Sequence, residues 1–301
     1  MTTAKLPLTR VHLIARAEAP LQLPPYAGSM LRGAFGHALL ALSPLPHADG
    51  NPCALHASCP YCQLFAAPPL PGHSLQKFSH MPQPYVIEPP TNGAQRLAAG
   101  QTFGFGLVLI GRALVLHATV AQAWQRALRT GLGAGHAPCT LLEIQDEKEL
   151  EPLYDKRKQL SNLSNSATSA TLHFHTPLRL QVQGKPARAG QITARDLLIA
   201  LARRHQLLRD VHLGAGAPQY DFKALALQAQ AIELHAQDLR WFDWGRYSQR
   251  QQQEMKLGGL LGSITLRGDL APFAELLHLG QWLHVGKNAT MGLGGYTLQA
   301  S

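Results

Sequence analysis

Apolar and polar residues alternate over Leu8-Thr9-Arg10-Val11-His12-Leu13-Ile14-Ala15-Arg16, a period of two that predicts a half-buried strand. After a prolyl turn at Pro24-Pro25 the period lengthens. Met30, Leu31, Ala34, Phe35, Ala38, Leu39 and Leu42 recur at three and four, which predicts a helix over 28–42 with one buried face. A loop rich in Pro, His and Cys follows. Strand-like runs at 85–87 and 103–110 lead to an amphipathic helix over 117–129, with Val120, Trp124 and Leu128 on one side, and then to a strand over 139–144. The order is β-α-β-β-α-β.

The same order then restarts. Residues 147–170 are charged and then Ser/Asn-rich, with little apolar periodicity, and read as a connection. A strand over 171–180 precedes a helix that begins near Thr193, whose side chain can cap the amide of Asp196. Strands at 233–244 and 260–266, a short helix over 272–277 started by Asp269, and a final strand pair at 282–285 and 296–298 complete the set. Two copies of β-α-β-β-α-β make the expected fold class α+β, with two tandem ferredoxin-like, RRM-like domains. The expected domains are 1–150, carrying a Cys-rich insertion over roughly 44–80, a linker over 151–170, and 171–301 with a glycine-rich loop.

A chain of 301 residues that is 46% hydrophobic is long enough for two such domains. Lysine plus arginine outnumber aspartate plus glutamate by 27 to 18, a formal charge of +9 that favours a polyanionic partner through counterion release. The chain has no apolar run long enough for a membrane span and no apolar core of a secretion signal near Met1, so the expected location is the cytoplasm, with no membrane partner.

Near the C-terminus, Gly286, Gly292, Gly294 and Gly295 surround Lys287, Asn288 and Thr290. Glycines permit positive φ and close backbone approach, so successive amides can point at phosphate oxygens, while Lys287 adds charge and Asn288 and Thr290 add donors. A plain turn is the alternative. The loop lacks the order of a mononucleotide P-loop, and it neither follows a first strand nor opens a helix as a dinucleotide fingerprint does. Arg195, Arg203 and Arg204 decorate the helix that starts near Thr193 and are further candidates for phosphate contacts; a solvated helix face is the bland reading.

The strings Arg246-Tyr247-Ser248, Leu257-Gly258-Gly259-Leu260-Leu261-Gly262, Gly268-Asp269-Leu270, Leu277-His278-Leu279-Gly280 and Val285-Gly286-Lys287-Asn288-Ala289-Thr290-Met291-Gly292-Leu293-Gly294 together resemble the C-terminal domain of the RAMP-superfamily endoribonucleases that process CRISPR repeat RNA. Met30-Leu31-Arg32-Gly33-Ala34-Phe35-Gly36-His37-Ala38-Leu39, followed by Cys-rich sequence and Leu64-Phe65, is similar to the N-terminal domain of that family. The resemblance implies a metal-independent cut of pre-crRNA, in which the ribose 2′-hydroxyl attacks the adjacent phosphate and leaves a 2′,3′-cyclic phosphate. Such a cut needs a base, an acid and positive charge at the phosphorane. It points to His37 in the first helix as the acid or base, with Tyr26 orienting the phosphate or hydroxyl and Arg32 stabilising charge. Arg32 lies five residues before His37, on a different face of an ideal helix. His173 and His175 on one strand face, His136 and His284 compete for the role among 15 histidines. The implied partners are repeat RNA or crRNA and other CRISPR effector subunits. The alternative is a RAMP subunit that holds guide RNA without cutting it.

No cofactor is expected for the cut. The segment Cys53-Ala54-Leu55-His56-Ala57-Ser58-Cys59-Pro60-Tyr61-Cys62 has a C-x2-C pair, a further cysteine six residues earlier, and His47 or His56 nearby. Thiolates and imidazole at that density suit tetrahedral zinc, with Cys53, Cys59, Cys62 and His56 as the expected structural ligands. Free thiols in an insertion loop are the alternative.

Overall fold

The computed structural model describes residues 5–44, 47, 53–66, 81–146, 168–213, 219–248 and 253–300. The expected linker over 151–170 lies almost wholly outside the described residues, as does much of the insertion over roughly 44–80. Contacts divide the chain into two units, 1–147 with 207–217, and 148–206 with 218–301.

The first unit contains β1 (Leu8–Ala17), β2 (Leu21–Leu23), α1 (Gly28–Ala41), α2 (Pro60–Leu64), β3 (Tyr85–Glu88), β4 (Gln95–Leu97), β5 (Thr102–Ile110), α3 (His117–Thr130) and β6 (Cys139–Asp146). Its main sheet runs β3-β5-β1-β6, antiparallel throughout. This is the ferredoxin-like arrangement, in which the first strand sits between the third and the fourth. The period of two in β1 has its predicted effect: Val11, Leu13, Ala15 and Ala17 are buried while His12 and Arg16 are exposed. Against the buried face, Trp124 of α3 stacks on Phe35 of α1 with ring centroids 5.0 Å apart and tilts onto Phe105 of β5 at 4.7 Å. Tyr85 meets the edge of Phe35 at 5.3 Å. These four rings are fully buried and tie α1 to α3 and to the sheet, each contributing on the order of 1.5–3 kcal/mol.

The second unit contains β7 (Ser169–Leu178), β8 (Gln181–Val182), β9 (Lys185–Pro186), most of α4 (Ala194–His212), α5 (Phe222–Gln230), β10 (Glu233–Ser248), β11 (Gln253–Arg267), α6 (Ala274–Leu283) and β12 (Tyr296–Ala300). The sheet order β10-β11-β7-β12 repeats the arrangement of the first unit. Thr193 starts α4 as expected. Its hydroxyl accepts the Asp196 amide at 3.1 Å, and the Asp196 carboxylate accepts the Thr193 amide in return, also at 3.1 Å.

One predicted strand is a helix. Residues 282 and 283 close α6, because Leu276, Leu279 or Gly280, and Leu283 recur at helical spacing and are all buried. A short apolar run read alone does not separate helix from strand. The glycine-rich loop therefore joins a helix to β12 and is not the turn of a hairpin. The chain also adds α5, which was not anticipated, capped by Asp221 accepting the Lys223 and Ala224 amides at 3.0 Å each.

Candidate active site, glycine-rich loop and metal centre

In the first unit, α1 presents His37 to solvent while its opposite face carries Leu31, Phe35 and Leu39 into the core. Tyr26 is buried just ahead of the helix, and that burial holds its phenol well above the usual range, so it stays neutral. Arg32 is half-buried. Its guanidinium lies 4.3 Å above the Phe65 ring and beside the phenol of Tyr85. Burial pushes that phenol up to about 12, with the Arg32 charge pulling the other way. The Nε of Arg32 is enclosed without an acceptor. Five residues carry Arg32 roughly 140° around the helix from His37, onto the packed side. The structure separates the three expected catalytic residues into one exposed imidazole and two groups held behind the helix surface. Of the competing histidines, His173 and His175 are exposed on one face of β7, His136 is exposed at positive φ, and His284 is fully buried.

In the second unit the glycine-rich loop is held by its own chain. The Lys287 amide donates to Arg179 O at 2.8 Å and the Gly294 amide to Pro177 O at 3.0 Å. The Met291 amide goes to Asn288 O and the Gly292 amide to Ala289 O. Thr176 bridges the loop, accepting the Gly295 amide at 2.7 Å and donating to Gly292 O at 2.6 Å. His284 adds a ring nitrogen 3.0 Å from the same carbonyl, Nδ1 acting as the donor. Five of the loop's N–H groups are thus committed within the chain. Gly292 and Gly294 are buried and shape the loop. At Gly294, with φ +73°, a Cβ would stand 1.8 Å from Val285 O. Gly286, Lys287, Asn288 and Thr290 form the half-exposed part, and burial lowers the Lys287 ammonium from its ordinary value.

Arg195 and Arg203 are exposed on α4. Arg204 differs from them. Its Nε donates to Leu283 O at the end of α6, its Nη2 is enclosed, and burial lowers the guanidinium to about 10. The carbonyl at the end of a helix carries partial negative charge, so Arg204 caps α6 there. The side chains of Arg246 and Tyr247 lie outside the described residues.

The cysteine-rich segment assembles a four-membered cluster. One ligand atom from each of His47, Cys53, Cys59 and Cys62 lies within 4.8 Å of all the others. His47 Nε2 is 3.3 Å from Cys62 Sγ and 3.4 Å from Cys59 Sγ. His47 stands where His56 was expected. His56 is exposed in the turn over 54–58, with its amide tied to Cys53 O at 2.9 Å. Burial pushes the Cys59 thiol up, but hydrogen bonds from Ser43 and around Cys62 outweigh it and the net direction is down. Burial and the adjacent Cys59 push Cys62 up to about 12. Closely placed thiols suppress one another's ionisation, and a divalent cation among them removes that penalty.

Residues 6–167 match the AF_1859 N-terminal domain model, and residues 172–296 match the model of the CRISPR-associated endoribonuclease Cas6. No curated protein sequence matches. Among solved structures, a Cas6 product complex superposes with a TM-score of 0.60 at 18% identity, covering 97% of this chain and 100% of that one. A Thermus thermophilus Cas6 gives 0.57 at 16% identity, covering 98% and 100%. A partial Cas6-RT-Cas1–Cas2 complex gives 0.57 at 18% identity, covering 98% of this chain but 46% of that longer one. These likenesses show a shared fold over nearly the whole chain. Among the described residues no helix is long and apolar enough to cross a membrane. The two family models follow each other in chain order on that fold: the chain belongs to the proteins with an AF_1859 N-terminal domain and carries, over residues 172–296, a domain of the CRISPR-associated endoribonuclease Cas6.

Proposed function

We propose that the protein binds CRISPR repeat RNA and cuts pre-crRNA without a metal in the reaction, the ribose 2′-hydroxyl attacking its own 3′-phosphate and the 5′-oxygen leaving with a proton. The observation that carries this reading is an exposed histidine on the first helix of a chain whose second half is a Cas6 endoribonuclease domain. An imidazole titrates near neutral pH and can serve as acid or base once RNA brings the reacting atoms within hydrogen-bond reach. His37 fills that role. Tyr26 and Arg32 act from behind as positioning residues, holding the start and the inner face of α1.

On this reading the half-exposed Gly286 to Thr290 and the exposed Arg195 and Arg203 supply backbone contacts, a sequence-tolerant, salt-sensitive mode of binding. Any zinc in the cysteine-rich insertion is structural. The Cas6-containing assembly with Cas1 and Cas2 supports association with other CRISPR subunits.

The test is incubation of a synthetic repeat RNA with the protein in brief EDTA. A single cut leaving a 2′,3′-cyclic phosphate is expected. Tight binding with no product at any pH sinks the enzyme reading and leaves a guide-RNA-holding subunit.

A further inference from the structure

We propose that His47, Cys53, Cys59 and Cys62 hold one tetrahedral zinc ion, and that this ion seats Phe65 against α1 and so fixes the helix that bears His37. The metal site stands on its own geometry; only its bearing on cleavage rests on the proposed function.

The donor set is three thiolates and one imidazole, the ligands of closed structural zinc sites. Zinc–sulfur and zinc–nitrogen bonds of about 2.3 and 2.0 Å place tetrahedral ligand atoms roughly 3.5–3.8 Å apart. The His47 Nε2 distances of 3.3 and 3.4 Å lie close to that edge, and all four atoms fit within 4.8 Å. Local sequence explains the pairing. Cys59 is the N-cap of α2, Pro60 occupies its first turn, and Cys62 returns three residues later on the same side. The three cysteines are buried, which leaves no open position for a substrate. Among the described residues, Leu64, Tyr61 and Phe65 tie the segment to the core of the first unit, while the cysteines form only a small cluster of their own with Tyr61, a size that small motifs supplement with a staple.

From the cluster, contacts run without a break to α1. The His47 ring meets Tyr61 edge-on at 4.9 Å, and Tyr61 stacks on Phe65 at 5.3 Å. Phe65 fills the notch at Gly36, where a Cβ would stand 2.5 Å from its ring, and Arg32 covers the ring at 4.3 Å. Gly36 immediately precedes His37. Ser43, just beyond the end of α1, donates to Leu39 O and lies 3.4 Å from Cys59 Sγ, a second tie from the cluster to the same helix.

The experiment uses the full chain purified under reducing conditions. Elemental analysis is expected to give one zinc per chain, and cobalt exchange to give the absorption of a tetrahedral thiolate site. Cys59→Ser and His47→Ala should lose the metal, whereas His56→Ala should keep it. Prolonged chelation, or Phe65→Ala with zinc retained, should speed amide exchange over 28–41 by about tenfold or more. Readdition of zinc, but not magnesium, should reverse the effect of chelation. Repeat-RNA cleavage should fall in parallel by on the order of tenfold to a hundredfold. A wild-type chain that contains no zinc and takes up no cobalt overturns the site. Unchanged exchange in the chelated protein and in Phe65→Ala overturns the seating role, whether or not the chain cuts RNA.

Discussion

At the scale of single residues, exposure separates groups that resemble one another in the sequence. His37 and Arg32 share a helix, yet one faces water and the other is packed against Phe65 and Tyr85. His37→Ala is therefore expected to lower single-turnover cleavage by on the order of 10²-fold with RNA affinity nearly intact; unchanged rates rule the assignment out. The glycine-rich loop divides in the same way. Lys287→Ala should weaken binding and reduce the salt slope by about one charge, with little effect on thermal stability. Gly294→Ala should lower the unfolding midpoint by an amount equivalent to about 1 kcal/mol or more, because the added Cβ meets Val285 O and the φ is positive. If Gly294→Ala melts like the wild type, the loop is less tightly bound to its own chain than its hydrogen bonds indicate.

At the scale of elements, long periodic segments were legible and short ones were not. The apolar spacing of 28–42 and 117–129 places α1 and α3 within a residue or two, and Phe35 and Trp124 land where that spacing sends them, stacked in the core. Phe35→Ala should cost roughly 3–5 kcal/mol in denaturant unfolding, since it leaves a cavity among Tyr85, Phe105 and Trp124. A loss below about 1 kcal/mol would mean that the rings repack. Residues 282–285 went the other way. Trp282 and Leu283 are as apolar as a strand, and only the buried partners of α6 make them helical. The choice between His47 and His56 beside the three cysteines was equally open in the sequence, because the fourth member depends on how the insertion folds back and not on the nearest histidine in the chain.

At the scale of the molecule, buried ionisable groups set the alkaline limit of stability. Burial raises Tyr85 to about 12 and also raises Tyr26 and Tyr296 above the ordinary tyrosine value near 10. The unfolded chain releases these protons first. Their contribution is complete below about pH 10 and is lost as pH rises through the folded values. Denaturant midpoints should fall steadily from about pH 10 towards 12, and Tyr85→Phe should flatten part of the fall; a flat wild-type profile contradicts the burial of these phenols. Sequence by itself determined the fold class, the doubled strand order, the capped start of α4 and the cysteine-rich candidate for metal, because periodicity, capping and ligand spacing are local properties of the chain. Tertiary structure alone decided which histidine joins the cysteines, that the loop amides are spent within the chain, that Arg204 caps a helix, and that Phe65 sits in the notch at Gly36. Those outcomes depend on which surfaces meet after folding, where burial and close approach, and not residue type, assign each group its partner.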